Sequence, residues 1–247
     1  MIMRPFYFFC VILVLISFNC TPATENVVKR SEAVEVTKEA MVESEEKAVK
    51  LVKLPVLDRA TRQIIRSYGS TIRKYSQKYG FDWRLTLAVM KAESNFLDSA
   101  ESYRGAAGLM QIMPSTQEEV ARVLDIVDIT EPQSNIRAGI FYLSRLYRMF
   151  DDAGENDRLR LTLAAYNAGP GRIFDAQDVA EYMNHNPDRW QAVKDALPML
   201  SSRYPTLHQN VWPNRKPKAG PFNNSRETLA HVDKIMNYYD KYRLVLN

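Results

Sequence analysis

An all-α domain is the fold that the sequence predicts, on three observations. Apolar residues recur every three or four positions through most of residues 57–244, the period of one helix face. No segment shows a convincing alternation of period two, the mark of a half-buried strand. Prolines, glycines and capping residues cut the apolar stripes into ordinary helix lengths.

The elements follow in order. Leu57, Thr61, Ile64, Ile65, Tyr68, Ile72, Tyr75 and Tyr79 form a first stripe, ended by Gly80. Asp82 is placed to cap a second helix, in which Trp83, Leu87 and Met90 recur at helical spacing and Glu93 is next on the stripe. Leu85, Ala88 and Val89 make this helix apolar nearly all round, so it is expected at the centre of the domain. Residues 104–113 read as a glycine-broken loop. Pro114, then Ser115 and Thr116 with Glu118 and Glu119 three positions on, predict a capping-box start for a helix to about Leu124. Residues 132–135 introduce a helix with Ile136, Ile140, Leu143, Tyr147 and Phe150 on one face, followed by a turn at 151–157. A helix at 159–167 is stopped by Gly169, Pro170 and Gly171. Residues 188–197 are helical around Trp190, and 201–225 are rich in proline, asparagine and basic residues and predict a long solvated loop. Residues 227–244 form a closing helix with Leu229, Val232, Ile235, Met236 and Tyr239 inward.

The N-terminal part has a different character. Arg4 precedes an apolar run at 6–18, broken only by Ser17. The run is short for a bilayer span, which takes about 20 residues, and fits the core of a secretory signal. Cys20 follows directly, and the other cysteine is Cys10, so no disulfide is expected in the mature domain. Residues 21–54 alternate glutamates with lysines and arginines and contain no aromatic residue and no glycine. Such a stretch buries too little apolar surface to offset its ordering entropy. The expected organisation is a signal segment at 1–19, a flexible charged tether at 20–54 and a globular domain at 55–247. The net charge of +4 fits contact with an anionic polymer but is too weak to argue for nucleic acid. There is no zinc-type Cys/His spacing and no phosphate-cradling glycine loop, so no metal and no cofactor are expected.

The chemistry concentrates at Glu93. A carboxylate on the continuation of a buried stripe, at the negative end of a helix, is costly as an unpaired anion. Both effects favour the protonated form that a general acid needs. Set against this is the plain reading of a solvated glutamate, which the helix alone does not overturn. Other stretches bear on it: Glu93-Ser94; Gly108-Leu109-Met110-Gln111 followed by Ile112-Met113-Pro114; Asn135-Ile136, Ala138-Gly139 and Tyr142-Leu143; and Ala165-Tyr166-Asn167-Ala168-Gly169-Pro170-Gly171. In this order, over residues 75–242, they resemble the catalytic domain of lytic transglycosylases related to the soluble lytic transglycosylase and to goose-type lysozyme. A cysteine at the end of a signal core similarly resembles the lipidation site of bacterial lipoproteins, although Phe18 and Asn19 depart from the small residues usual there.

The resemblance implies a lysozyme-like multi-helix domain acting on the glycan strands of peptidoglycan. Glu93 takes the position of the catalytic acid, which protonates the glycosidic oxygen between N-acetylmuramic acid and N-acetylglucosamine. The resulting carboxylate takes the proton of the muramic acid's C6 hydroxyl, which attacks C1 and closes a 1,6-anhydro ring. One carboxylate then suffices where ordinary glycosidases use two. Asp98 and Glu101 match no motif position and read as loop charges. The resemblance also implies substrate contacts from Ser94, Gly108, Met110, Gln111, Tyr166 and Asn167. Many relatives carry a tyrosine four residues after the glutamate of a Glu-Thr pair in the last helix. Here Glu227-Thr228 is followed by His231 at that place, with Tyr238 or Tyr239 as the alternatives. The lipoprotein resemblance implies acylation of Cys20, and Thr21 in place of aspartate implies the outer membrane. Two other functions remain open on sequence: a hydrolytic muramidase on the same fold, and a non-catalytic peptidoglycan-binding lipoprotein.

Overall fold

The computed structural model describes residues 56–246. The expected signal segment at 1–19 and the expected tether at 20–54, with Cys20, lie outside the described residues. Within them the chain forms nine α-helices and no strand, as the apolar period predicts. Two isolated antiparallel bridges, Glu101 with Ala107 and Ala107 with Ile112, pinch the glycine-broken loop.

The first helix, α1 (Arg59–Tyr79), starts at Asp58, whose side chain accepts from the Thr61 amide, and ends at Gly80 with φ 79°. The turn leads at once into α2 (Trp83–Ser94), where Asp82 accepts from the Arg84 amide at 2.9 Å. Leu87, Ala88, Val89 and Met90 of α2 have no exposed surface, and each such aliphatic side chain contributes about 1.5–3 kcal/mol by leaving water. A hydroxyl pair, Ser76 with Thr86 at 2.8 Å, ties α1 to α2 inside the core.

Helix α3 (Pro114–Leu124) begins one residue before the predicted capping box. Met113 is its cap without a side-chain bond, and Pro114 occupies the first turn, where its missing N–H costs nothing. Helix α4 (Pro132–Tyr147) is capped by the Glu131 carboxylate on the Ser134 amide at 2.7 Å. Its stripe is inward as predicted, with Ile136, Ile140 and Leu143 fully buried.

Helix α5 (Glu155–Ala168) runs to Gly169, and α6 (Pro170–Tyr182) starts directly after it. The sequence reading takes Pro170 only as a stop. It is also the first residue of a new helix, because its fixed φ suits that position. Helix α7 (Trp190–Ala196) continues into a 3-10 turn, and α8 (Pro205–Val211) lies inside the stretch expected to be loop. That stretch is anchored rather than solvated: Trp212 and Phe222 are buried, and the Trp212 indole N–H donates to Asp178 at 2.9 Å. The fully buried Asp175 accepts from the backbone amides of Lys218 (2.9 Å) and Ala219 (2.8 Å). Helix α9 (Ser225–Val245) closes the domain and lies along α2 more intimately than any other pair of elements pack. The helix predicted to be central is therefore held between α1 and α9.

Candidate active site

Glu93 stands on the last turn of α2. The helix ends there because Asn95 and Phe96 both take left-handed backbone angles, φ 51° and 69°. The Glu93 side chain keeps 13% of its exposure, so the carboxyl group emerges where the buried stripe ends. Lys234 of α9 donates to the Ala92 carbonyl at 3.0 Å, a cation at the negative end of the helix.

From α9, His231 Nε2 lies 3.0 Å from Glu93 Oε1. Of the three residues that the sequence offers for this place, His231 lies against Glu93. The two alternatives do not: the Tyr239 hydroxyl donates to Asp82 at the opposite end of α2, and Tyr238 stacks on Tyr242. Three residues before His231, the Thr228 hydroxyl donates to Asn167 Oδ1 at 2.8 Å.

The loop before α3 packs beneath the acid. Ser94 is buried, and its hydroxyl is shared between the carbonyls of Met90 (3.2 Å) and Leu109 (3.0 Å) while accepting from the Phe96 amide. Its one proton is spent on backbone carbonyls, so it fastens the turn that carries Glu93. Met110 is fully buried. Its side chain fills the space over Gly139, where an added Cβ would lie 2.6 Å away, so the expected substrate contact is a core contact. The backbone of Met110 does the positioning: its N–H donates to Asn135 Oδ1 at 2.9 Å and its carbonyl accepts from the Tyr166 hydroxyl at 2.7 Å. Gly108, with φ 78°, makes room for Asn135, whose Cγ would stand 2.5 Å from an added Cβ. Its bareness serves that packing. Gln111 donates to the carbonyls of Ala100 and Gly108 within its own loop. Burial first, and then the nearby charge of Glu93, push the Tyr166 phenol well above its ordinary value, so it stays a neutral donor.

Asn167, exposed, lines a polar cavity of about 280 Å³ with Arg104, Arg172, Phe222, Glu227 and Thr228. Asp98 and Glu101 line a different cavity, with Ala107, Gly108 and Thr130. The structure therefore brings Glu93 and His231 into contact and sets Tyr166 and Asn167 beside them. It uses Ser94, Gly108, Met110 and Gln111 to build the supporting loop. Sequence reasoning left Asn135 and Thr228 without a role. Both sit inside quoted motifs, and a polar residue on the inner face of a helix was the available signal. Arg104 and Arg172 carried no signal beyond their charge.

Residues 70–210 match the transglycosylase SLT domain family, and the chain belongs to it. Among curated relatives, membrane-bound lytic murein transglycosylase F of Desulfosudis oleivorans is 35% identical over 170 residues, covering 68% of this chain and 35% of that one. The protein of the same name from Alcanivorax borkumensis is 35% identical over 174 residues, 70% of this chain and 34% of that one. The chain thus spans about a third of the length of the curated relatives it matches. Among solved structures, the 70 kDa soluble lytic transglycosylase of Escherichia coli superimposes with a TM-score of 0.50 at 24% identity, over 71% of this chain and 24% of that one. This is a likeness of fold.

Proposed function

We propose that this chain is a peptidoglycan lytic transglycosylase in which Glu93 acts as acid and then as base. The observation that carries the reading is the Glu93–His231 contact at the exposed end of the buried helix. His231 Nε2–H donates to Oε1, which leaves Oε2 to meet the glycosidic oxygen between N-acetylmuramic acid and N-acetylglucosamine. Proton transfer from Oε2 releases the leaving sugar as an oxocarbenium-like centre develops at C1. The carboxylate then takes the proton of the muramic acid's C6 hydroxyl, whose oxygen bonds to C1. The product is a 1,6-anhydro sugar, and no water is consumed. No second carboxylate is needed, and the two loop acids, Asp98 and Glu101, line a separate cavity. Tyr166 fixes the Met110 carbonyl in the loop below the acid, and Asn167 stands on the wall of the neighbouring cavity.

The relatives' names, membrane-bound lytic murein transglycosylase, and the signal-like run ending at Cys20 support an envelope location. In this reading Cys20 is acylated, residues 20–54 are a tether, and the domain faces the periplasm from the outer membrane. Mass spectrometry of soluble products released from peptidoglycan tests the activity. Products ending in 1,6-anhydromuramic acid, lost on Glu93→Gln, are the expected result. Reducing ends heavier by one water would establish a hydrolase instead. Retained binding with no product from either protein would leave a non-catalytic binder.

A further inference from the structure

We propose that the cavity between residues 198–204 and the start of α9 seats the phosphate group of an ester. This place is separate from Glu93 and its partners. Helix positions turn by about 100° per residue, so Arg226 and Leu229 on the cavity wall lie on a different flank of α9 from Thr228 and His231.

The cavity has a volume of about 500 Å³ and no acidic side chain on its wall. Arg203 and Arg226 enter it from two segments. Both are exposed, and neither pairs with a carboxylate among the described residues. Ser225 lines the same cavity and is only 8% exposed. Its hydroxyl makes no hydrogen bond among the described residues, and its oxygen is not sealed off. A buried hydroxyl is ordinarily paired, so this one is left for a ligand. Asn223 adds an amide: its Oδ1 accepts from the Ser201 hydroxyl at 3.0 Å, which leaves its N–H groups free. The helix contributes as well. Asn224 precedes α9 without a side-chain cap, and the backbone N–H groups of Ser225 and Arg226 have no acceptor among the described residues. They stand at the positive end of a 21-residue helix.

The donors thus come from guanidinium, hydroxyl, amide and backbone groups, and no anion of the protein meets them. A phosphate presents its oxygens over a tetrahedron, and helix N-termini and arginines are its common partners. A carboxylate has two oxygens in one plane and would leave donors unmet. The space exceeds what a bare phosphate fills. Tyr204, 43% exposed, and Leu229 supply an apolar part of the wall, which fits the organic portion of an ester. A phospholipid headgroup and a soluble phosphate ester share the group recognised here.

The test uses the full chain in micelles of a non-ionic detergent that contains no phosphorus. Dihexanoyl phosphatidylglycerol and glycerol phosphate are titrated in turn and followed by phosphorus NMR, read as the difference from protein-free micelles. At least one is expected to bind saturably, and the tighter of the two names the source as lipid or soluble ester. Arg203→Ala and Arg226→Ala are each expected to weaken that binding roughly tenfold or more. Both side chains are exposed and unpaired, so neither substitution disturbs the core. Ser225→Ala, which leaves the charge unchanged, is expected to weaken the binding as well. No saturable binding of either ester would overturn the proposal. So would acetate displacing the bound ester as well as inorganic phosphate does, or an affinity that survives all three substitutions. Nothing is cleaved in this measurement, so a failed transglycosylase reading would leave its result untouched.

Discussion

A carboxyl group that serves first as acid and then as base must present one oxygen to its substrate and secure the other. At Glu93 that second oxygen is Oε1, and its partner is His231 at 3.0 Å. One hydrogen bond to a charged group is worth about 1.5–3 kcal/mol, or roughly ten- to 150-fold in rate where it acts in the transition state. His231→Ala is expected to lower kcat within that range in a product-release assay. His231→Tyr should retain much more of it, since a phenol hydroxyl can donate to the same oxygen. Ser94→Ala is expected to cost about 1–3 kcal/mol of unfolding free energy, because the Phe96 amide and the Leu109 carbonyl lose their buried partner. Denaturant titration measures it. At this scale Glu93 was legible because an ionisable residue on an apolar stripe stands out against its neighbours. For Ser94 and Met110 the sequence leaves open whether the residue faces substrate or core, for one reason. A motif marks which residues a site needs, but not whether the side chain or the backbone does the work. The Met110 carbonyl and amide carry the contacts, and no property of a methionine side chain announces that.

Elements here are fixed by their ends. Asp82 is the start of α2 and is bonded to the Arg84 amide, the Arg84 guanidinium and the Tyr239 hydroxyl. Burial alone would raise its carboxyl, but the hydrogen bonds and charge of Arg84 outweigh that and hold it below its ordinary value. A carboxyl lowered in the folded state contributes stability above its unfolded value, and that contribution is lost as pH falls through the folded one. Unfolding free energy should therefore drop below about pH 4, and Asp82→Asn should flatten that acid limb. Asp175 is a second fastening, holding the backbone of Lys218 and Ala219. Asp175→Ala is expected to loosen residues 212–222, read as new proteolytic cuts there. The capping of α1 and α2 was visible in sequence, because Asp58, Gly80 and Asp82 act through local bonds. The anchoring of 201–225 was not. Composition marks proline- and asparagine-rich chain as loop, whereas its order comes from Trp212, Phe222 and a buried aspartate 43 and 44 residues away. Helix α6 was missed because a proline after a glycine is equally a stop and a start.

The whole domain is a sleeve around α2, and α9 completes it. Two tyrosines of α9 report on that closure. Burial first, then the charge of Asp82 and the hydrogen bond to it, push Tyr239 up to about 12, and burial does the same for Tyr242. Both favour the neutral phenol in the folded state, so their contribution is present below pH 10 and lost as pH rises toward 12. An alkaline unfolding limb between those values is expected, followed by the ultraviolet absorbance of the phenolate. For the chain as a whole, Cys20→Ser is expected to move the protein from the membrane to the soluble fraction on cell fractionation, which tests the proposed anchor. The fold class was legible because a helix's apolar period is a local property repeated along the chain. Which helix faces which was not. The sequence separation of the Glu93–His231 pair has a consequence for biosynthesis. Glu93 leaves the ribosome 138 residues ahead of His231, so a nascent chain carries the acid long before it carries the partner that orients it. The pair is complete only once α9, the last helix, has docked on α2, so a chain cut short before His231 keeps the acid and lacks its partner.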